Sequence, residues 1–218
     1  MSIQSKGFKI VQTGVSEKTL DTLRETLFHQ GQPGERCLLD HPLVQQTAIQ
    51  LKEQLISAGH LTKSAVTIQA IAFDKTPSTN WKVAWHQDLM FPFANKVSSV
   101  DFDLPCIKDG IHYARPPESV LNQLLAVRLH LDDCDETNGP LRVSVGTHLV
   151  GIIKTAEIPE QLASHGETTC LAKKGEALLL RPLTLHASSK ATEPKNRRIL
   201  HLVYHCGEPF SETWHRAV

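Results

Sequence analysis

The chain has 218 residues, enough to bury a full core without disulfides or structural zinc. Lysine plus arginine and aspartate plus glutamate each total 23, so the formal charge is zero and the electrostatic footprint of a nucleic-acid binder is missing. The five cysteines (Cys37, Cys106, Cys134, Cys170, Cys206) are scattered with no CxxC pair, which argues against a disulfide framework or a zinc knuckle. The opening MSIQSKGFKI has no apolar leader-like stretch and no run approaches a membrane span. The expectation is therefore a soluble cytoplasmic protein with no membrane or nucleic-acid partner, a monomer or weak homo-oligomer.

Residues 16–30 (SEKTLDTLRETLFHQ) place Leu20, Leu23 and Leu27 at helical spacing behind Ser16 as N-cap, and GQPG stops that helix. A second helix is expected over 42–58, capped by Asp40 or His41, with Pro42 in its first turn and Leu43, Leu51 and Leu55 along one face. Residues 1–60 thus read as helical. After Gly59 the texture changes to short apolar or β-branched stretches separated by turns: AVTIQAIAF, WKVAWHQ, LLAVRLHL, LRVSV, TTCL, EALLL and RILHLVYH. Within 126–132, Val127, Leu129 and Leu131 face one way while Arg128, His130 and Asp132 face the other. Strands in this number behind two helices predict one domain over 1–218, mainly β with flanking α. Its core, over 61–210, is a jelly roll or other β-sandwich with the N-terminal helices packed on one face. The prolyl stretch 92–117 is longer than ordinary connections and is expected as an irregular lid. His112, Tyr113 and Arg115 within it are candidates for substrate contact or plain exposed loop residues.

A histidine and a carboxylate two apart on a strand share a face and can hold one ion. A third ligand from a distant strand completes a facial triad suited to non-haem Fe(II). Twelve histidines and 23 acidic residues give roughly one HxD/E by chance. The chain has three: His86–Asp88, His130–Asp132 and His165–Glu167. Glu167 follows Ser-His-Gly in a polar turn and reads as surface. Asp132 opens the acidic cluster DDCDE before Asn138-Gly139 and reads as a strand end entering solvent. Asp88 stands in WHQDLMF with no other charged residue from Val83 to Ala94, so it must be paired, hydrogen-bonded or coordinated. A metal would satisfy it, as would backbone amides. His186 ends the apolar run EALLLRPLTLH, and Arg197 opens the strand RRILHLVYH. An arginine there offers a bidentate fork to the far carboxylate of a metal-chelating dicarboxylate, with Ser188 as a possible hydroxyl donor beside it. Arg198 is its rival, because strand alternation turns only one of the two inward.

The set WHQDL, HLDDCDETNGPLRVSVGTH, GEALLLRPLTLHASS and NRRILHLVYH, in this order over about 66–206, resembles the phytanoyl-CoA dioxygenase family. The resemblance implies a double-stranded β-helix (jelly roll, cupin-like) and a dioxygenase that uses Fe(II), 2-oxoglutarate as co-substrate and O2. Such an enzyme hydroxylates a small-molecule substrate and releases succinate and CO2. By the same resemblance His86, Asp88 and His186 match the metal ligands, Arg197 matches the 2-oxoglutarate arginine and Ser188 its hydroxyl neighbour. Gln69, Lys75 and Arg128 match positions found near the co-substrate in some relatives. The usual Pro-Gly-Ser-His turn reads Val145-Gly146-Thr147-His148 here, a departure in a loop. Retention of Asp88 favours a hydroxylase over a halogenase. A redox-inert cupin-like protein holding Zn or Ni, and a non-catalytic relative, are the competing readings.

Overall fold

A computed structural model describes residues 2–29 and 32–218. The first half of the chain contains α1 (Ile3–Lys6), β1 (Phe8–Gln12), α2 (Glu17–Leu27), β2 (Gly34–Glu35), α3 (Pro42–Ser57), β3 (Val66–Lys75) and β4 (Val83–His86). It continues with β5 (Phe91–Phe93), β6 (Asp103–Lys108), β7 (Ile111–Arg115) and α4 (Glu118–Leu121). The second half contains β8 (Leu124–His130), β9 (Leu141–Ser144), α5 (Ile158–His165), β10 (Glu167–Cys170), β11 (Glu176–Leu180), β12 (His186–Ser188) and β13 (Arg197–His205). The strands make a six-stranded sheet in the order β1-β11-β8-β13-β3-β2, a four-stranded sheet β10-β9-β12-β4 and a three-stranded sheet β5-β7-β6.

Alternation along the central strands decides how these layers stack. Leu125, Val127 and Leu129 of β8, Ala177 and Leu179 of β11, and Leu200, Leu202 and Tyr204 of β13 join Leu20, Leu23, Leu27, Val44, Ala48, Leu51 and Leu55 in one apolar cluster. The opposite phase (Ala126, Leu178, Leu180, Val203) packs with Leu141 and Val143 of β9 in a second cluster. The six-stranded sheet is thus covered by α2 and α3 outside and by the four-stranded sheet inside, which is the jelly roll. Each fully buried leucine in these layers contributes about 2 kcal/mol.

Both expected helices form, with adjusted ends. Ser16 caps α2, its Oγ accepting from the Thr19 amide at 3.1 Å. The helix ends at Leu27, with Phe28 already extended. Gln30 and the Gly31 of the stop signal lie outside the described residues. His41 rather than Asp40 caps α3, Nδ1 accepting from the Leu43 amide at 3.2 Å, and Pro42 occupies the first turn. Its buried face is carried by Val44, Ala48, Leu51 and Leu55, while Leu43 is only partly buried.

Residues 1–60 are not all helical. Phe8–Gln12 forms β1 and extends the six-stranded sheet beside β11, and Gly34–Glu35 adds a short edge beside β3. Five residues of FKIVQ carry too little pattern to announce a strand; pairing with Leu178–Leu180 decides it. The segment 92–117 is only partly irregular, chiefly over 94–102. It supplies most of the three-stranded sheet, whose backbone groups are satisfied by β5–β7 and β6–β7 pairing.

Candidate metal centre

The inner face of the six-stranded sheet and the four-stranded sheet enclose a cavity of about 550 Å3. His86 ends β4 and His186 begins β12, and the two are direct cross-strand partners. Their ring centroids lie 4.2 Å apart. Beyond β4 the chain turns so that the Asp88 amide donates to the Pro182 carbonyl at 2.9 Å, and its carboxylate comes to both rings. His86 Nε2 is 3.6 Å from Asp88 Oδ1 and His186 Nε2 is 3.6 Å from Asp88 Oδ2.

These distances are too long for hydrogen bonds. Ligand atoms about 2.1 Å from one ion lie roughly 3 Å apart at a right angle and about 4 Å apart when opposed, so the spacing leaves room for a shared ion. The tautomers agree. His86 Nδ1 donates to the Ala84 carbonyl at 2.8 Å and His186 Nδ1 to the Thr184 carbonyl at 2.9 Å, which leaves both Nε2 lone pairs directed to the centre. Among the described residues these three form the one group of histidine, cysteine and acidic side chains arranged to hold an ion. Two neutral imidazoles and a carboxylate are a donor set that fits Fe(II).

Burial pushes the His186 imidazole down to about 4, more than the Asp88 charge raises it. Burial also works to raise Asp88, but the two imidazoles facing it, His186 and His86, outweigh burial and hold the carboxyl below its usual range. For His86 burial acts downward and Asp88 upward; the carboxylate prevails and the pKa is raised.

Across the cavity, the inward phase of β3, β8 and β13 presents Gln69, Arg128, Arg197 and His201, with Lys75 beside Arg197 on the neighbouring strand. Arg197 is 4% exposed. Its guanidinium donates to the Gly139 carbonyl, its Nε has no partner, and it forms no ion pair among the described residues. Burial lowers its pKa. Lys75 Nζ donates to Ser188 Oγ at 3.1 Å and to the Ser189 carbonyl at 2.6 Å. Its pKa falls to about 8, through burial first and then the charge of Arg197. Arg128 reaches His201 Nδ1 at 3.3 Å and lies 5.6 Å from the Phe73 ring centroid. Gln69 and Ser188 are buried and line the cavity. Of the residues singled out in the sequence, His86, Asp88, His186, Gln69, Arg128, Ser188 and Arg197 line one cavity, whereas Lys75 stands behind its wall and reaches it through Ser188. Arg198 takes the outward phase and forms a bidentate pair with Asp132 at 2.8 Å.

Asp132 corrects the expected phase of 126–132. The strand ends at His130, and Asp132 turns outward to Arg198 and, at 3.4 Å, to Arg24 of α2. Glu167 pairs with Arg142 at the surface. Of the three lid candidates, Tyr113 lines the cavity, whereas Arg115 is held by Asp103 at 2.6 Å and His112 does not reach it.

Several cavity residues escaped the sequence. His201 shares the inward phase of Arg197 on β13, a signal that alternation alone could supply. Gln87 donates to the Gly151 and Leu183 carbonyls at 2.8 and 2.6 Å and accepts from the Ile153 amide at 2.8 Å. It thereby pins the turn between His86 and Asp88, a role nothing in the motif announces. Arg36, Trp81 and Lys108 reach the cavity from segments distant in sequence.

The family model for phytanoyl-CoA dioxygenase (PhyH) matches residues 3–199. No curated protein matches in sequence. Among solved structures, EctD from S. alaskensis with bound Fe is similar with TM-score 0.67 at 17% identity, over 94% of this chain and 74% of that one. EctD with 2-oxoglutarate and 5-hydroxyectoine gives TM-score 0.65 at 16% identity, over 94% of this chain and 73% of that one. AviO1 from Streptomyces viridochromogenes Tue57 gives TM-score 0.66 at 15% identity, over 96% and 94% of the two chains.

Proposed function

The chain belongs to the phytanoyl-CoA dioxygenase family and is thereby an iron- and 2-oxoglutarate-dependent oxygenase, and from that premise we propose that it hydroxylates a small molecule, with His86, Asp88 and His186 holding Fe(II) and Arg197 anchoring 2-oxoglutarate. One observation carries the assignment. Two imidazoles with Nδ1 tied to backbone carbonyls turn Nε2 toward a single carboxylate, and a buried arginine without an acidic partner stands across the same cavity. The similar EctD has been solved with Fe and with 2-oxoglutarate and 5-hydroxyectoine, which supports a small-molecule substrate here.

Bound Fe(II) with 2-oxoglutarate and O2 supplies the oxidation, in which 2-oxoglutarate becomes succinate and CO2 and one oxygen atom enters a substrate C–H bond. The role of this chain is to hold, orient and exclude water. With their Nδ1 protons fixed on backbone carbonyls, His86 and His186 would offer Nε2 lone pairs to the ion, and Asp88 would bind as a carboxylate. Retention of that carboxylate favours hydroxylation over halogenation. Arg197 meets the far carboxylate of 2-oxoglutarate, and Ser188, held by Lys75, offers it a hydroxyl. Gln69 and Arg128 border the same ligand. Residues 1–218 act as one oxygenase domain, working in the cytoplasm as a monomer or weak homo-oligomer without nucleic acid. The five free cysteines suit a reducing compartment, and among the described residues no helix is long and apolar enough to cross a membrane.

Anaerobic titration with Fe(II), with and without 2-oxoglutarate, tests this. A visible charge-transfer band that needs both components, and disappears in His186→Ala and Arg197→Ala, is expected. Tight Zn binding with no response to 2-oxoglutarate would overturn the proposal in favour of a redox-inert metal protein.

A further inference from the structure

The deep end of the cavity is accounted for by the metal and co-substrate groups; its outer half is not. There Arg36, on the loop after β2, and Lys108, at the end of β6, both line the wall beside Tyr113. Lys108 Nζ lies 5.2 Å from the Tyr113 ring centroid. Burial and Cys37 raise the Tyr113 phenol while Arg36 pulls it down, so Arg36 also acts at this residue. Both cations are exposed, and neither forms an ion pair among the described residues. Of the nearby acids, Asp103 pairs with Arg115, and neither Asp109 nor Glu35 lines the main cavity; Glu35 lines a side recess of about 240 Å3 that shares Arg36, Phe73 and Trp81 with it.

Charge and aromatic faces point the same way. Arg36, Lys108, Arg128 and Arg197 line the cavity against one carboxylate, Asp88. Fe(II) and 2-oxoglutarate carry equal and opposite formal charge, so filling the deep end leaves the positive excess in place. A cationic substrate would need a free aromatic face. Three of the four Phe, Trp and Tyr rings that line the cavity are already attended by the protein's own cations: Arg128 at Phe73, Lys75 at Trp81 and Lys108 at Tyr113, all within 6 Å of the ring centroid; the fourth, Phe91, is buried. The wall between mouth and metal is apolar, formed by Leu89, Met90 and Leu104 with Trp81.

We propose that the substrate is an amphipathic organic anion. Its carboxylate, sulfonate or phosphate group is held by Arg36 and Lys108 at the mouth, and its apolar body lies along Trp81, Leu89, Met90 and Leu104 toward His86. Guanidinium and ammonium groups suit such an anion, and their field concentrates it at the entrance. The inference rests on the oxygenase reading only for which part of the molecule is oxidised.

A matched pair of probes tests it without turnover: 8-anilinonaphthalene-1-sulfonate and its neutral counterpart N-phenyl-1-naphthylamine. Each is titrated calorimetrically into protein loaded anaerobically with Fe(II) and saturating 2-oxoglutarate, which keeps the sulfonate away from Arg197. The anion is expected to bind once per chain and about tenfold or more tighter than the neutral amine. Arg36→Gln with Lys108→Gln should remove that preference, and Arg36→Lys with Lys108→Arg should keep it. Equal binding of the two probes, unchanged anion affinity in the neutralised variant, or no anion binding would each overturn the inference. The Fe(II)–2-oxoglutarate band is recorded before the titration. Its absence with the probe preference intact sinks the oxygenase reading alone; its presence without the preference sinks this inference alone.

Discussion

His-x-Asp occurs at His86–Asp88 and again at His130–Asp132, each time with the histidine closing a strand, and the fold puts the two pairs to opposite uses. Across from His86 the register places His186, so a second imidazole is waiting when the chain turns and brings Asp88 underneath. Across from His130 stands Ile199. There the Leu131 amide bonds to the Arg198 carbonyl and Asp132 turns outward to the guanidinium of the same residue. The histidine of one pair faces a cavity; that of the other is sealed in the interior. A motif of this size does not determine its own chemistry. The strand paired with it does.

The largest separation between the two regions is expected from their aspartates. On the proposed assignment Asp88→Ala removes a metal donor and should weaken Fe(II) binding by more than about 100-fold, measured by anaerobic titration. Asp132→Ala should leave Fe(II) affinity unchanged but lower stability by about 1–3 kcal/mol, because a half-buried guanidinium loses its bidentate partner. If Asp132→Ala lost the metal instead, the assignment of the two pairs would be reversed.

The adjacent arginines sharpen the same contrast. Arg197→Gln should raise the KM for 2-oxoglutarate by about 30-fold or more, as expected for truncating one partner of a buried charged pair. Arg198→Gln should leave that KM alone and shift only the urea midpoint. Equal KM changes in the two variants would contradict the inward and outward phases of β13.

A pH-dependent effect sets the histidine of the second pair apart. Burial, and then the charge of Arg128, pushes His130 down to about 3. The unfolded chain binds this proton near pH 6.5 and the folded chain only near 3, so unfolding takes up a proton in between. Its contribution to stability is complete above about pH 6.5 and is lost as pH falls, by about 1.4 kcal/mol per unit. His130→Asn should make the fall of the urea midpoint between pH 6 and 4 shallower by one proton; an unchanged slope would mean that His130 titrates normally. The smallest effect belongs to the third pair. Glu167→Ala disrupts only an exposed ion pair with Arg142 and should change stability by less than about 1 kcal/mol and turnover not at all.

Much of the fold is readable from periodicity. The two helices and seven of the strands carry enough alternation or helical spacing to be placed within a few residues. What escapes is short or paired from afar: β1 exists because β11 lies beside it, and β12 has three residues, two of them legible as site residues but not as a strand. The candidate site is legible where its residues share a strand phase, as Arg128 and Arg197 do. It is illegible where residues arrive from distant loops, as Arg36 and Lys108 do, or act through backbone, as Gln87 does. Local pattern reports which face a side chain takes; only the assembled sheets report what it meets there.

Among the described residues β4 is an edge strand that pairs only with β12, through an irregular register. An ion gripped by both His86 and His186 would fasten this strand to its neighbour from the side-chain layer. Ion affinity and the free energy of local opening would then be one linked quantity, because an occupied centre would oppose fraying of β4. The centre would be both a reaction site and a rivet in the frame that holds it.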